Sequence, residues 1–135
     1  MKIIGCYIVK NEAEALSRSL ASIKDQVDEI VVVDTGSADH TAAAAERAGA
    51  KIHRFPWQDD FALARNFALD KLTGDWVVFL DADEYFSAET AKNLRQVITA
   101  QGRDTNLLLV QRQDVDETGA TLMTLYVPRI FRIDK

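Results

Sequence analysis

The chain has 135 residues, of which 47% are hydrophobic and 27% are charged, and its formal net charge is −5. This length predicts a single domain, and the composition is that of a globular protein rather than a disordered one. The negative charge argues against a nucleic-acid-binding protein, which usually presents a basic surface.

The cysteine count and the lack of targeting segments in the sequence indicate the compartment. Cys6 is the one cysteine, so no disulfide framework can form within the chain. No apolar run approaches the ~18 residues that span a membrane, and no signal peptide precedes the first strand. We therefore expect a cytoplasmic protein without a membrane span.

Short apolar runs alternate with segments that carry apolar residues at helical spacing. Four strand–helix pairs are predicted, in the order strand 3–9 and helix 13–24, strand 29–33 and helix 40–48, strand 51–55 and a helix capped at 59 or 60 that ends near 72, strand 76–80 and a helix capped at 87 that ends near 100. Continuous apolar strands are typical of a parallel sheet covered by helices on both faces.

The pattern changes after the fourth helix. Strands at 106–113 and 121–125 flank a turn at 116–119, which predicts an antiparallel β-hairpin. A further apolar strand at 126–132 is expected to begin another unit and to lack a partner. Because the chain stops just as this strand begins, we expect a truncated domain. An unpaired strand is a template for pairing with another copy of the chain, so we also expect self-association through this strand.

Polar loops follow three of the predicted parallel strands: 10–12, 34–37 and 81–84. The carboxyl ends of parallel strands meet at one edge of a sheet, where open α/β sheets bind ligands. We therefore expect these loops to line one cleft. The sequence contains neither the glycine-rich dinucleotide motif nor a P-loop, so those two nucleotide-binding modes are disfavoured.

The loop after the fourth strand carries three acidic residues within four positions. Asp81, Asp83 and Glu84 follow a run of apolar residues. If the backbone stays extended, Asp81 and Asp83 point the same way, with Cα atoms about 6.5–7 Å apart. Like charges so placed favour a divalent cation between them, because otherwise one carboxylate would protonate. A polar, acidic turn without a ligand is the alternative interpretation.

Five segments together resemble a known family. They are 8–12 (IVKNE), 33–41 (VDTGSADHT), 64–66 (ARN), 80–84 (LDADE) and 128–132 (PRIFR). In this order and spacing they resemble the N-terminal part of family 2 glycosyltransferases. The resemblance implies a Rossmann-like GT-A fold, with a mostly parallel sheet between helices and a C-terminal β-hairpin, and one domain over residues 1–135 that binds the donor.

The resemblance also implies roles for individual residues. Asp34 corresponds to the aspartate that recognises the nucleotide base, commonly uracil, and Glu12 lies where the family contacts the nucleoside. Arg65 matches a basic position near the diphosphate. Asp81 and Asp83 match the D-x-D motif, in which the first aspartate contacts ribose or donor sugar and the last binds Mg²⁺ or Mn²⁺. Both are expected as metal ligands.

The implied reaction moves a sugar from a nucleotide-diphospho-sugar, commonly a UDP-sugar in this family, to an acceptor that is a glycan, a lipid or a protein. Inverting transfer needs a base that takes the proton of the acceptor hydroxyl. No acidic residue after the D-x-D is a convincing base, so we expect the base beyond residue 135 and a chain that is inactive alone.

Two alternatives stay open at this stage. Asp81 and Asp83 also resemble the nucleophile motif of haloacid-dehalogenase-like phosphatases, in which Asp81 would form an aspartyl-phosphate. Against this, the motif follows the fourth strand rather than the first, and Glu84 and Tyr85 replace small or hydroxyl residues. The second alternative is a non-catalytic nucleotide-sugar-binding or assembly module.

Overall fold

The computed structural model describes residues 1–133. Its elements follow the order β1 Ile3–Val9, α1 Ala13–Ile23, β2 Glu29–Asp34, α2 Thr41–Arg47, β3 Lys51–Arg54, α3 Phe61–Asp70, β4 Trp76–Leu80, α4 Ala88–Thr99, β5 Leu107–Val115 and β6 Thr121–Arg132. None of the helices in this range has the length and apolarity needed to cross a bilayer.

One six-stranded sheet organises the molecule, in the order β3-β2-β1-β4-β6-β5. Strands β3, β2, β1 and β4 are parallel to one another, whereas β6 runs antiparallel to both β4 and β5. The predicted α/β fold, with a mostly parallel sheet and a C-terminal hairpin, is therefore confirmed. Each parallel crossover carries a helix back over the sheet.

The two faces of the sheet have separate cores. Tyr7 on one face packs in a cluster with Leu20 of α1 and Leu94 of α4. Cys6 points to the opposite face and packs in a second cluster with Ala68 of α3. This alternation of neighbouring side chains is the two-residue period of a strand, and it explains why β1 is buried on both sides.

The C-terminal strand differs from its prediction. Residues 121–132 form the single strand β6 rather than two, and β6 lies between β4 and β5, so the expectation of an unpaired last strand is wrong. Pro128 interrupts the apolar run but not the strand, because the pairing with β5 is irregular at this point. Proline is tolerated in strands at such irregularities. The edge of the sheet on this side is β5.

Candidate functional site

The carboxyl ends of the parallel strands lie at one edge of the sheet, as predicted. Val9 at the end of β1 is paired with Asp34 at the end of β2, and Tyr7 is paired with Leu80 at the end of β4. The loops 10–12, 34–37 and 81–84 therefore leave the sheet side by side. We call this region the ligand edge.

Asp34 organises the loop that follows β2. Its residue is only 5% exposed, and its Oδ1 accepts hydrogen bonds from the backbone N–H groups of Gly36 (2.9 Å) and Ser37 (2.8 Å). Gly36 has a φ of +127°, which favours glycine. Within residues 1–133 no group donates a hydrogen bond to the second oxygen, Oδ2. The carboxylate thus stabilises the turn through Oδ1, and Oδ2 is available to accept a hydrogen bond from a ligand.

The loops after β1 and β2 are tied together by hydrogen bonds. Asn11, at a φ of +52°, donates its N–H to Ser37 Oγ (2.9 Å) and accepts from the N–H of Ala38 through Oδ1 (2.7 Å). Glu12 donates its N–H to Thr41 Oγ1 (3.0 Å). Asn11 had no role in the sequence-based prediction. Its signal in the sequence is an asparagine two residues after the end of a buried strand, since asparagine tolerates the left-handed conformation.

The D-x-D segment does not continue the strand, so the extended backbone that would point Asp81 and Asp83 the same way is absent. Glu84 donates its N–H to the Asp81 carbonyl (3.0 Å), and Asp81 donates its N–H to Glu84 Oε1 (3.0 Å). Ala82 is buried inside this turn, whereas Asp83 is exposed. We call residues 81–84 the carboxylate loop. The turn forms where β4 leaves the ladder and loses its hydrogen-bonded neighbours.

Negative charge accumulates at the ligand edge. Burial raises the pKa of Glu12, and the charges of Asp83 and Asp81 raise it further. Burial also raises the pKa of Asp81, with Glu84 and Asp83 adding to the effect and Arg129 opposing it. Carboxylates that disfavour one another's ionisation are stabilised by a bound cation. Glu12, Asp81 and Asp83 therefore form an acidic group with incomplete compensation by arginine.

This donor set fits a hard divalent cation. Carboxylate oxygens are suitable ligands for Mg²⁺, which commonly takes one or two carboxylates and completes its shell with water and substrate phosphates. Within residues 1–133 no group of three or more His, Cys, Asp or Glu side chains has a metal-holding arrangement. The residues present thus suit an ion shared with a phosphate ligand rather than one enclosed by protein.

Arg129 of β6 is a residue of the ligand edge to which the sequence analysis assigned no role. Its Nε and Nη2 donate to Glu84 Oε1 (2.8 Å) and Oε2 (2.9 Å), and Nη2 lies 3.8 Å from Asp81 Oδ2. Burial opposes ionisation of Glu84, but the hydrogen bonds from Arg129 and the Asp81 N–H outweigh it, so the pKa of Glu84 is lowered. The signal in the sequence was the segment 128–132, which was recognised without a function.

Arg65 lies on α3, on the face of the sheet opposite to α1. Its guanidinium stands over the ring of Phe79 at 5.2 Å from the centroid and near Phe61 at 5.9 Å. Among residues 1–133 it has no carboxylate within 4.0 Å. Phe61 is 48% exposed, and Trp57 is exposed as well. An exposed arginine held by aromatic rings is available to an anion.

The chain is similar to a known protein family and to several curated proteins. The family model of glycosyl transferase family 2 matches residues 6–135. The chain is 56% identical over 90 residues to a TPR repeat-containing protein of Synechococcus elongatus, covering 67% of this chain and 22% of that protein. It is 35% identical over 119 residues to an uncharacterised glycosyltransferase of Rickettsia felis, covering 84% and 42%. The chain therefore spans less than half of the length of either relative.

A solved structure shares the fold. The glucosyl-3-phosphoglycerate synthase of Mycobacterium tuberculosis, crystallised with Mn²⁺ and UDP-glucose, superposes with a TM-score of 0.64 at 25% identity. The match covers 78% of this chain and 42% of the synthase.

Proposed function

Because this chain belongs to glycosyl transferase family 2, we propose that it forms the donor-binding part of an enzyme that transfers a sugar from a UDP-sugar to an acceptor hydroxyl. The observation that carries the proposal is the meeting of the Asp34 turn, Glu12 and the carboxylate loop at the ligand edge. A nucleotide-diphospho-sugar has a base, a ribose and a diphosphate, and this edge offers groups suited to each.

The base and nucleoside are assigned to the first two loops. Asp34 Oδ2 is an acceptor for a base N–H, and uracil carries such a donor at N3. The position of the Asp34 carboxylate is set by the two backbone hydrogen bonds to Oδ1, so this side chain needs little further ordering when the base binds. Glu12 lies on the adjoining loop, where its carboxylate contacts the nucleoside.

The diphosphate and the metal are assigned to the carboxylate loop and to Arg65. Asp83 and Asp81 would hold Mg²⁺ or Mn²⁺, and Asp81 also contacts the ribose or the donor sugar. The ion, when bound, neutralises charge that develops on the leaving nucleoside diphosphate. Arg65, without a carboxylate partner within 4.0 Å in residues 1–133, supplies a second positive charge to the same anion.

We further propose that residues 1–135 act as one donor-binding unit and that the catalytic base comes from another part of the enzyme. Two acidic residues of the hairpin contribute to its own structure. Asp116 accepts the N–H groups of Thr118 and Ala120 at the turn, and Asp114 pairs with Arg112 at 3.0 Å. These contacts give both carboxylates a role within the hairpin itself, which favours a base from another segment. On this proposal the isolated chain binds donor but does not transfer sugar.

The test is calorimetric titration of the chain with UDP, CDP, GDP and ADP, in Mn²⁺ and in EDTA. We expect UDP to bind most tightly and only weakly in EDTA. Asp81→Asn and Asp83→Asn should each weaken Mn²⁺-dependent binding about tenfold or more. Asp104→Asn removes a carboxylate from an exposed turn near the start of β5 and is the matched control.

Two results would contradict the proposal. One is UDP binding that neither EDTA nor the two substitutions change. The other is turnover of simple phosphate esters with a beryllofluoride adduct on Asp81, which would instead favour the phosphatase chemistry considered above.

A further inference from the structure

A β-bulge in β6 places Arg129. The β5–β6 ladder pairs Leu108 with Ile130 and Leu109 with Pro128, so Arg129 has no partner on β5. The ladder with β4 ends at the pair of Val78 and Ile130, and Ile130 is the residue that follows Arg129 in the chain. Bulges next to binding sites commonly redirect one side chain. Here the redirected side chain reaches the carboxylate loop.

The contact between Arg129 and Glu84 has the geometry of a strong ion pair. Two hydrogen bonds of 2.8 and 2.9 Å join the guanidinium fork to both carboxylate oxygens. The side chains are only 18% and 14% exposed. Bidentate arginine–carboxylate pairs specify geometry as well as adding energy. Arg112 of β5 lies farther away, with Nη1 3.8 Å from Glu84 Oε2.

Glu84 passes this restraint on to Asp81. Its Oε1 accepts hydrogen bonds from both Arg129 Nε (2.8 Å) and the Asp81 N–H (3.0 Å). Its own N–H closes the turn on the Asp81 carbonyl (3.0 Å). One carboxylate therefore connects the hairpin to the backbone of the D-x-D segment.

We propose that Arg129 is a positioning residue that holds the carboxylate loop, through Glu84, in the conformation that presents Asp81 and Asp83 to a divalent cation. This inference rests on the proposed function, which assigns the cation to those two aspartates. Docking of the β5–β6 hairpin and organisation of the metal site are then coupled, because Arg129 comes from the hairpin and lies 45 residues from Glu84.

A purely electrostatic role for the pair predicts a different outcome. Arg129→Gln removes a positive charge near the cation and would tighten Mn²⁺ binding, whereas Glu84→Gln removes a negative charge and would weaken it. A positioning role predicts that both substitutions weaken binding, by about ten- to a hundredfold as for other groups that orient metal ligands. The two substitutions thus change Mn²⁺ affinity in the same direction only if the pair acts by holding the loop.

The experiment is a titration of the 135-residue chain with Mn²⁺, alone and with UDP present, for the wild type, Arg129→Gln, Arg129→Lys and Glu84→Gln. Binding is monitored by water-proton relaxation. Arg129→Lys keeps the charge but not the fork, so we expect it to weaken binding too. Arg95→Gln is the matched control, since Arg95 forms an ion pair of 3.0 Å with Asp28 away from the ligand edge. Denaturant unfolding verifies that each variant is folded.

A second readout needs no metal. Amide hydrogen exchange at Asp81 in the metal-free chain should be about tenfold faster in Arg129→Gln and in Arg129→Lys, because the acceptor of that N–H is no longer held. Exchange of the β2 amides should not change.

The outcomes separate the two claims. Mn²⁺ binding that Arg129→Gln tightens, or Asp81 exchange that neither Arg129 variant changes, overturns the positioning role. A wild-type chain that binds Mn²⁺ neither alone nor with UDP contradicts the proposed function instead, and the exchange measurement then decides the role of Arg129 by itself.

Discussion

Asp34 offers a substitution that separates folding from recognition. Its Oδ1 accepts two backbone N–H groups, and its Oδ2 is the acceptor proposed for the base. Asparagine at this position can keep both bonds to Oδ1, because only an oxygen satisfies two N–H donors and asparagine forms the same side-chain turn. Its amide nitrogen then occupies the place of Oδ2. Alanine removes both functions.

The expected magnitudes follow from these bonds. Hydrogen bonds to a charged group contribute about 1.5–3 kcal/mol each, but water can replace part of the loss near the surface. We therefore expect Asp34→Ala to lower the free energy of unfolding by about 2–3 kcal/mol and Asp34→Asn by less than about 1 kcal/mol. For UDP, loss of one charge-assisted bond predicts binding about tenfold to a hundredfold weaker in Asp34→Asn.

Base preference is the sharper readout. Uracil has a donor at N3, whereas cytosine has an acceptor there, which the amide nitrogen of asparagine can meet. Calorimetry of Asp34→Asn should therefore show UDP weakened much more than CDP. Asp116→Asn is the matched control, because Asp116 also accepts two backbone N–H groups through one oxygen, at the hairpin turn. Unchanged UDP binding and base preference in Asp34→Asn would reduce Asp34 to a turn residue.

Three further predictions concern the rest of the fold. Burial raises the pKa of Cys6 to about 12. A thiol reagent at pH 8 should therefore label Cys6 only as fast as the chain unfolds, and rapid labelling of the native protein would refute this. The hydrogen bond from the Ile3 N–H is the main cause that lowers the pKa of Asp28, and Arg95 adds to it. The stability that this carboxylate supplies is present above its unfolded pKa of about 3.9 and is lost as pH falls through the lower folded value. Because Asp28 is largely exposed, the effect should stay below roughly 1 kcal/mol, and urea unfolding of Asp28→Asn should lack that acid-dependent part. We expect self-association through the edge strand β5, where Leu109 is 60% exposed. Light scattering should show less association in Leu109→Lys than in the wild type, and equal scattering of both proteins would exclude this edge.

Local signals predicted much of the fold. The helix caps at Asp60 and Ser87 are confirmed, since each side chain accepts a hydrogen bond from an early N–H of its helix. The meeting of the three loops at one edge followed from strand direction alone, because a right-handed crossover returns each parallel strand to the same orientation. Neither conclusion required knowledge of a distant contact.

Predictions that depended on partners elsewhere in the sheet were less successful. The last strand was expected to be unpaired, yet β6 lies between β4 and β5. The extended geometry considered for Asp81 and Asp83 does not form, because the ladder of β4 with β1 ends at Leu80. An isolated carboxylate segment has no hydrogen-bonded neighbour to keep it straight, so it closes into a turn.

The sequence by itself therefore determined the order of the strands along the chain, the parallel half of the sheet and the polar loops of the ligand edge, because unbroken apolar runs and capping residues act over a few positions. Tertiary structure alone decided that Arg129 meets Glu84. That contact depends on the antiparallel docking of β6 and on a bulge that shifts its register by one residue. A shift of this kind changes which face a side chain takes, and it arises from pairing between distant segments rather than from local pattern.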